Sequence, residues 1–278
     1  MQKASIQHLF LVAITTFIIF LACRPARTLP PSPTAILPPT VEELAMALSN
    51  PSYSVRLRAA QALKELGPEA SPAVPDLAQA LSDPGYEMRL FVAWALSEVG
   101  PAAAPALPEI MAALRSDKLD QEKSHLIITL GNIGPAAEPA VPLLTEILEN
   151  EKNDFSRSLA IESLGKIGDP KILPALVQVL EAEGGVIIDV REEAVQAVAN
   201  FGEQAHFVVP TLAKLLDDEN PYVSELSACA IAKITSEPLP DSEDECRFVS
   251  TENEEARIVI AAREWWREEG QFQDWDSP

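Results

Sequence analysis

A nine-residue turn occurs three times in this chain, and its spacing constrains the fold more than any other feature. Residues 67–75, 100–108 and 134–142 read GPEASPAVP, GPAAAPALP and GPAAEPAVP. The step of 33 or 34 residues continues through three further equivalent positions, Gly168, Gly202 and Thr235. Self-similarity at this period is typical of a solenoid, in which each repeat packs only on its neighbours.

Two helices fit between successive turns. Helix B precedes each glycine and has apolar residues at helical spacing. Glycine stops helix B in a left-handed conformation, and a following proline prevents its continuation. Helix A begins at a proline, which the first helical turn tolerates; these prolines are Pro75, Pro108, Pro142, Pro174 and Pro210. A capping box at Thr40-Val41-Glu42-Glu43 starts the domain near Pro39. The pattern predicts an all-α solenoid of about six helix pairs over residues 39–235.

The chain resembles HEAT repeats, especially the short bacterial kind also found in phycobilin lyases. The features that carry this resemblance are the length of the helix pair, the Gly-Pro turn, the proline of helix A and the VR..A..AL..IG pattern of helix B. The resemblance implies a structural ladder between neighbouring repeats. In it, a basic residue of helix B pairs with the residue six positions earlier, and the ladder weakens in the last two repeats. The implied pairs are Asn50 with Arg56, Asp83 with Arg89, Asp117 with Lys123, Glu151 with Arg157, Gly185 with Arg191, and Asp218 with Ser224.

The N-terminal residues are set apart from the solenoid by their composition. Lys3 is followed by an apolar run that ends before Cys23, too short for a membrane span of about 20 residues but suited to an export signal. Phe20-Leu21-Ala22-Cys23 resembles the bacterial lipobox, although Phe20 stands where leucine is usual. The resemblance implies a signal peptide over residues 1–22 and lipidation of Cys23. Cleavage elsewhere and an uncleaved anchor are the alternatives.

Residues 23–38 are rich in proline and indicate a semi-rigid tether. A chain of this kind is expected in the bacterial cell envelope, outside the cytoplasm, with a lipid anchor in the membrane.

The C-terminal part departs from the repeat pattern. We expect an acidic loop over residues 236–252, a capping helix over 253–270 and a frayed tail over 271–278. Trp265 and Trp266 are expected to close the core rather than to bind a ligand. Cys229 and Cys246 are candidates for a disulfide bond in an oxidising compartment, the alternative being two unpaired thiols.

Charge and motifs narrow the function classes. The formal charge of −21 disfavours a nucleic acid or an anionic lipid surface as partner, so the expected partner is another protein, and a basic one if it is charged. His125 and His206 are too isolated to predict a metal site. The chain lacks a nucleophile elbow, a phosphate loop and a dinucleotide turn. We therefore expect no catalytic residues and no cofactor, and we do not expect an enzyme.

Helix B offers a candidate partner-binding site in repeats two to four. Two aligned positions of helix B should face outward, and some repeats have polar residues there. In repeats two to four these positions carry the apolar or aromatic residues Phe91, Trp94, His125, Ile128 and Leu159. Aromatic residues of this kind mark interaction sites. The alternative is burial between repeats. The leading hypothesis is a membrane-tethered scaffold that binds protein through the concave face lined by the B helices, and the alternative is a bilin lyase-like enzyme or chromophore-binding accessory protein.

Overall fold

Helices arranged in successive pairs make up the regular structure of the chain. The computed structural model describes residues 39–116, 122–182, 188–239 and 257–275. The A helices are α1 (Val41–Ala47), α3 (Val74–Ala80), α5 (Leu107–Leu114), α7 (Val141–Asn150), α9 (Leu173–Glu181) and α11 (Val209–Leu215). The B helices are α2 (Tyr53–Leu66), α4 (Tyr86–Val99), α6 (Glu122–Ile133), α8 (Asp154–Ile167), α10 (Ile188–Asn200) and α12 (Pro221–Thr235). A final helix, α13, spans Arg257–Glu268. The predicted all-α solenoid is confirmed.

Several predicted segments cannot be compared with the structure. The signal peptide over 1–22, the tether over 23–38 and residues 240–252 of the acidic loop lie outside the described residues. Thr40 begins the described solenoid with the predicted capping box: its hydroxyl accepts from the Glu43 amide, and the Glu43 carboxylate accepts from the Thr40 amide.

The joints between repeats are short helices rather than simple turns. Residues 67–73, 100–106 and 134–140 each form a seven-residue 3₁₀-helix that runs directly into the next A helix. Side chains three residues apart lie one above the other in a 3₁₀-helix. Pairs of alanines at this spacing, such as Ala103 and Ala106, are fully buried. The small residues of the repeated nonapeptide therefore form one face that packs into the core.

The glycines at the joints do not share one conformation. Gly168 is in the expected left-handed region, with φ 75° and ψ 24°. Gly67 and Gly100 have φ of 54° and 69° but ψ of −127° and −136°, a region essentially restricted to glycine. At the sixth position the left-handed residue is Ser236, one residue after Thr235. The expected positive φ is therefore present at Gly67 and Gly100, but ψ differs from that of a left-handed helical residue, and the chain continues from each directly into a 3₁₀-helix.

The B helices approach one another closely. A Cβ on Gly131 would lie 2.7 Å from the Ser163 hydroxyl oxygen, so glycine is needed where α6 meets α8. The Ser163 hydroxyl in turn donates to the carbonyl of Ile127 at 2.9 Å. The Asn132 side chain donates to the carbonyl of Ser97 at 3.0 Å. These bonds join backbone groups of one repeat to side chains of the next.

The basic ladder exists, but its pairing differs from the expected one. Arg56 donates to the backbone carbonyl of Asn50 at 3.0 Å and to the carboxylate of Asp83, in the next repeat, at 2.7 Å. Arg89 donates to the backbone carbonyl of Asp83 at 3.0 Å and to the Glu122 carboxylate at 3.0 Å. Each arginine thus uses the backbone, not the side chain, of the residue six positions earlier. The Asn50 side chain accepts from the Ser52 amide, and the Asp83 side chain accepts from Arg56 of the preceding repeat.

Further along the chain, the ladder changes at repeat four. Lys123 contacts the Glu151 carboxylate of the next repeat. Arg157 bonds within its own repeat, to Asp154 and to the carbonyl of Leu148, each at 3.1 Å. Arg191 contacts Asp218 at 2.7 Å, so the expected weakening does not apply to that pair. The expected partners Asp117 and Gly185 lie outside the described residues.

The C-terminal cap is an aromatic cluster. Trp265 and Trp275 are each 8% exposed, and Trp266 is half-buried against the core. The ring of Trp275 lies 4.3 Å from that of His206 in the last joint, and its indole N–H donates to the Gly270 carbonyl at 2.9 Å. Trp275 is therefore packed against the last repeat, whereas residues 271–274 before it are exposed.

One stretch of the described residues, Tyr86–Leu114, is long and apolar enough to cross a membrane. It contains α4, a 3₁₀ joint and α5, with a positive φ at Gly100 between them. Val92, Leu96 and Ile110 within it are fully buried in the solenoid core. Packing between repeats therefore accounts for its apolar composition.

The Arg89–Glu122 pair yields a stability prediction. The Glu122 side chain is 1% exposed and the Arg89 side chain 16%. Arg89→Ala should lower the free energy of unfolding by about 3 kcal/mol, because it leaves a buried carboxylate without a counter-ion. Urea denaturation followed by circular dichroism measures the change.

The matched control is Arg58→Ala, an exposed arginine of the adjacent α2. Adding Glu122→Gln to Arg89→Ala should recover part of the loss, since it removes the unpaired charge. Equal destabilisation by both arginine variants would contradict the ladder's role.

Candidate partner-binding site

Three rings from two neighbouring B helices stack together, and we call Phe91, Trp94 and His125 the aromatic patch. The rings of Trp94 and His125 are 5.2 Å apart with an interplanar angle of 15°. The rings of Phe91 and Trp94 are 6.3 Å apart and nearly parallel, at 6°. Helical spacing places Phe91 and Trp94 on one face of α4, and stacking of repeats brings His125 of α6 beside them.

Lys64 and Glu98 complete the surroundings of Trp94. The Lys64 ammonium, from α2, lies 4.1 Å from the centroid of the Trp94 ring, a cation–π contact. The Trp94 indole N–H donates to the Glu98 carboxylate at 3.0 Å. Residues of three successive repeats therefore hold this tryptophan in one orientation.

The residues of the predicted binding site differ in how deeply they are buried. Phe91, Trp94, His125 and Ile128 are half-buried, and Phe91 and Ile128 also pack against the core. Leu159 is 9% exposed and belongs to the core itself. The structure brings Phe91, Trp94 and His125 together as one surface. Leu159 is instead buried between repeats, which was the alternative to a role in binding.

The patch has a mixed electrostatic character. Burial lowers the pKa of His125 below its ordinary value, and the nearby Glu98 carboxylate acts in the opposite direction. Lys64 also pairs with Glu65 at 2.7 Å, and Glu65 and Glu98 are exposed. A partner that docks here therefore meets aromatic rings rimmed by carboxylates and one ammonium group.

The remaining candidate residues lie elsewhere. Cys229, half-buried on α12, is disulfide-bonded, and its expected partner Cys246 lies outside the described residues, so the pairing stays a prediction. Within the part of the chain that the structure describes, no three His, Cys, Asp or Glu side chains are grouped to hold a metal ion.

Sequence reasoning missed Lys64 and Glu98. Glu98 lies four residues after Trp94, one helical turn away, and this spacing was a usable signal. Lys64 belongs to the preceding repeat, and the reach of a flexible lysine across a repeat boundary has no signature in the periodic pattern.

The family model for HEAT repeats matches residues 41–117 and 107–187, together more than half of the chain. The chain belongs to the HEAT-repeat family. Its A helices, joints and stacked B helices are thus those of HEAT repeats, and the ladder arginines lie inside or just beyond the matched residues. No curated protein matches the chain in sequence.

Solved structures similar to this HEAT solenoid include designed and natural proteins. An engineered protein has a TM-score of 0.53 at 21% identity, covering 70% of this chain and 96% of its own. A designed armadillo repeat protein in complex with the peptide (KR)4 has a TM-score of 0.57 at 18% identity, covering 70% and 99%. A chain from the complex of CpcE and CpcF of phycocyanin lyase from Nostoc sp. PCC7120 has a TM-score of 0.51 at 20% identity, covering 91% and 94%. These likenesses show the fold.

The buried face of His125 leads to a prediction about pH. Because the folded state lowers the pKa of His125 from 6.5, the unfolded chain binds the proton more readily. The stability linked to this group is complete above pH 6.5 and is lost as the pH falls through the lower folded pKa.

The variant His125→Phe keeps an aromatic ring beside Trp94 but cannot titrate. It should lose less stability than the wild type between pH 7.5 and pH 5, as measured by the midpoint of urea unfolding. The same pH dependence in both proteins would show that His125 does not contribute.

Proposed function

We propose that this HEAT solenoid is a non-catalytic scaffold that binds another protein through the face of its B helices, centred on the aromatic patch, and that a lipid on Cys23 holds it at a membrane in the bacterial cell envelope. The observation that carries the binding role is the half-exposed stack of Phe91, Trp94 and His125. Tryptophan is enriched among residues that dominate binding energy.

The rigidity of the patch supports this role. Lys64 and His125 flank Trp94, and Glu98 accepts its indole N–H, so the ring is held before a partner arrives. A preorganised side chain loses little conformational freedom on binding, and more of the contact energy then appears as affinity.

The charge of the chain supports a basic partner. The formal charge is −21, and the exposed carboxylates of Glu65 and Glu98 lie at the rim of the patch. Long-range attraction would steer a basic protein toward such a surface. The similar armadillo design was solved with a peptide of alternating lysine and arginine, and the phycocyanin lyase chain was solved in a protein complex, which fits a protein partner for this fold.

The lipid anchor rests on the sequence around Cys23 and on the proline-rich segment that follows it. A lipidated cysteine followed by an extended tether would keep the solenoid near the membrane while leaving its B helices accessible.

A bilin lyase-like activity is the second candidate, and the similarity to the phycocyanin lyase chain over 91% of this chain favours it. Planar aromatic side chains such as Trp94 could also stack on a linear tetrapyrrole. Adding such a chromophore to the purified protein distinguishes the two functions. A shifted absorbance band that Trp94→Ala abolishes would support the lyase-like function, and an unchanged spectrum would favour the scaffold function.

Partner binding is tested by photo-crosslinking in bacteria. A photoreactive amino acid at Gln61, half-buried at the helix B position equivalent to Trp94, should give a discrete adduct with another protein. Trp94→Ala should reduce that adduct at least severalfold, because it removes the central contact. The control places the photoreactive group at exposed Glu146 on α7.

The variant must also retain its circular dichroism spectrum. An adduct that is equally strong with and without Trp94, in a folded protein, would exclude the patch as the binding site.

The anchor is tested by the intact mass of the protein purified from bacterial membranes. The wild type should begin at Cys23 and carry added acyl mass, since after removal of residues 1–22 the modified cysteine would be what retains the chain. Cys23→Ala should keep its N-terminal residues or be released from the membrane. A wild-type protein with an unmodified N-terminus would overturn the proposed location.

A further inference from the structure

A second surface lies on the edge of the solenoid where the A helices end and turn into the B helices. Two neighbouring cavities open there, one of about 710 Å³ beside the ends of α1 and α3 and one of about 630 Å³ between α3 and α5. They share four wall residues, Gln79, Ser82, Asp83 and Pro84. The two cavities therefore form one groove across two repeat junctions, which we call the turn-edge groove.

Each cavity contains one carboxylate in the first turn of an A helix, where the helix dipole favours a negative charge. Asp76 lines the first and Glu109 the second, at equivalent positions 33 residues apart. Neither forms a hydrogen bond or an ion pair within the described residues. The arginines of the same walls, Arg56 and Arg89, are neutralised by the ladder. The groove therefore presents one uncompensated negative charge per repeat.

Exposed tyrosines flank the groove. Tyr53 and Tyr86 are 38% and 40% exposed, each two residues after a proline of the cavity walls. Tyr53 is fixed in place: its hydroxyl donates to Glu87 at 3.2 Å, and its ring lies against Gly85, where a Cβ would approach it to 2.4 Å. The guanidinium of Arg56 already lies 5.6 Å from the centroid of this ring. Aromatic rings beside carboxylates suit lysine and arginine, whose charge can interact with both.

The spacing of the repeats selects the conformation of a ligand. Packed neighbouring helices lie about 8–10 Å apart. A polyproline II segment rises about 3.1 Å per residue and has three residues per turn. Side chains three residues apart therefore lie on the same side of the segment, separated by about 9 Å. Cations three residues apart would thus meet Asp76 and Glu109 in turn.

We propose that the turn-edge groove binds an extended, proline-containing segment of a partner protein with a lysine or arginine at every third residue. The ammonium groups pair with the two carboxylates, and their alkyl stems pack against alanines of the walls such as Ala112 and Ala113. This surface is separate from the aromatic patch, and it does not depend on the proposed function.

The test measures fluorescence anisotropy of a labelled peptide, KPPKPPK, with the purified full chain at constant ionic strength. A peptide of the same composition but wrong spacing, KKKPPPP, is the first control. Asp76→Asn with Glu109→Gln should weaken binding of KPPKPPK about fivefold, because two partly exposed ion pairs are lost. Glu146→Gln with Glu149→Gln, which removes the same charge from exposed positions on α7, should leave it nearly unchanged.

A second pair of variants separates this surface from the aromatic patch. Tyr53→Ala with Tyr86→Ala should weaken peptide binding, whereas Phe207→Ala, another exposed aromatic, and Trp94→Ala should not. The proposal would be overturned if KPPKPPK did not bind measurably or if the two peptides bound equally well. It would also be overturned if both double carboxylate variants lost the same amount of affinity. If Trp94→Ala weakens peptide binding and the groove variants do not, the proposal is overturned and the peptide binds the aromatic patch. A negative photo-crosslinking result at the patch would not affect the peptide-binding measurement.

Discussion

The arginine ladder fixes how the first three repeats of this HEAT solenoid stack. Arg89 connects the carbonyl of its own A–B turn to a carboxylate of the following repeat, so one side chain orients the turn and the junction together. Charge-assisted hydrogen bonds of this kind are stronger than neutral ones, and they are directional, whereas contacts between alanines and leucines are not. These bonds orient the B helices of the first three repeats, whereas Arg157 of repeat four bonds within its own repeat. The alignment of Lys64, Trp94 and His125 across three repeats follows from that arrangement.

Much of the fold could be predicted from the sequence because its determinants are local. The glycine that ends helix B, the proline at the start of helix A and the capping box at Thr40 each act within one helical turn. Their recurrence at a fixed step made the pairing of helices readable without any knowledge of distant contacts. The aromatic composition of the patch was readable for the same reason, since Phe91 and Trp94 lie one turn apart on one helix.

The parts that could not be predicted depend on contacts between repeats. A periodic pattern shows which residues are equivalent, but it does not show whether Asp83 is directed toward its own repeat or the preceding one. Burial of Leu159 and the reach of Lys64 depend on the offset between neighbouring B helices. Trp275 is buried beside His206, Trp265 and Trp266, and it has no equivalent residue in the repeats that could have indicated this contact.

The direction of the ladder also bears on how such a chain can change in length. At the first two junctions, an acidic residue of one repeat receives an arginine from the repeat before it: Asp83 receives Arg56, and Glu122 receives Arg89. Removing or duplicating one whole repeat in this part of the chain would keep the arginine of one B helix facing the start of the next B helix, where these carboxylates lie. A deletion of any other length would separate donor from acceptor. The geometry thus favours genetic gain and loss in units of 33 or 34 codons, and a solenoid of this kind can lengthen without a new interface having to evolve.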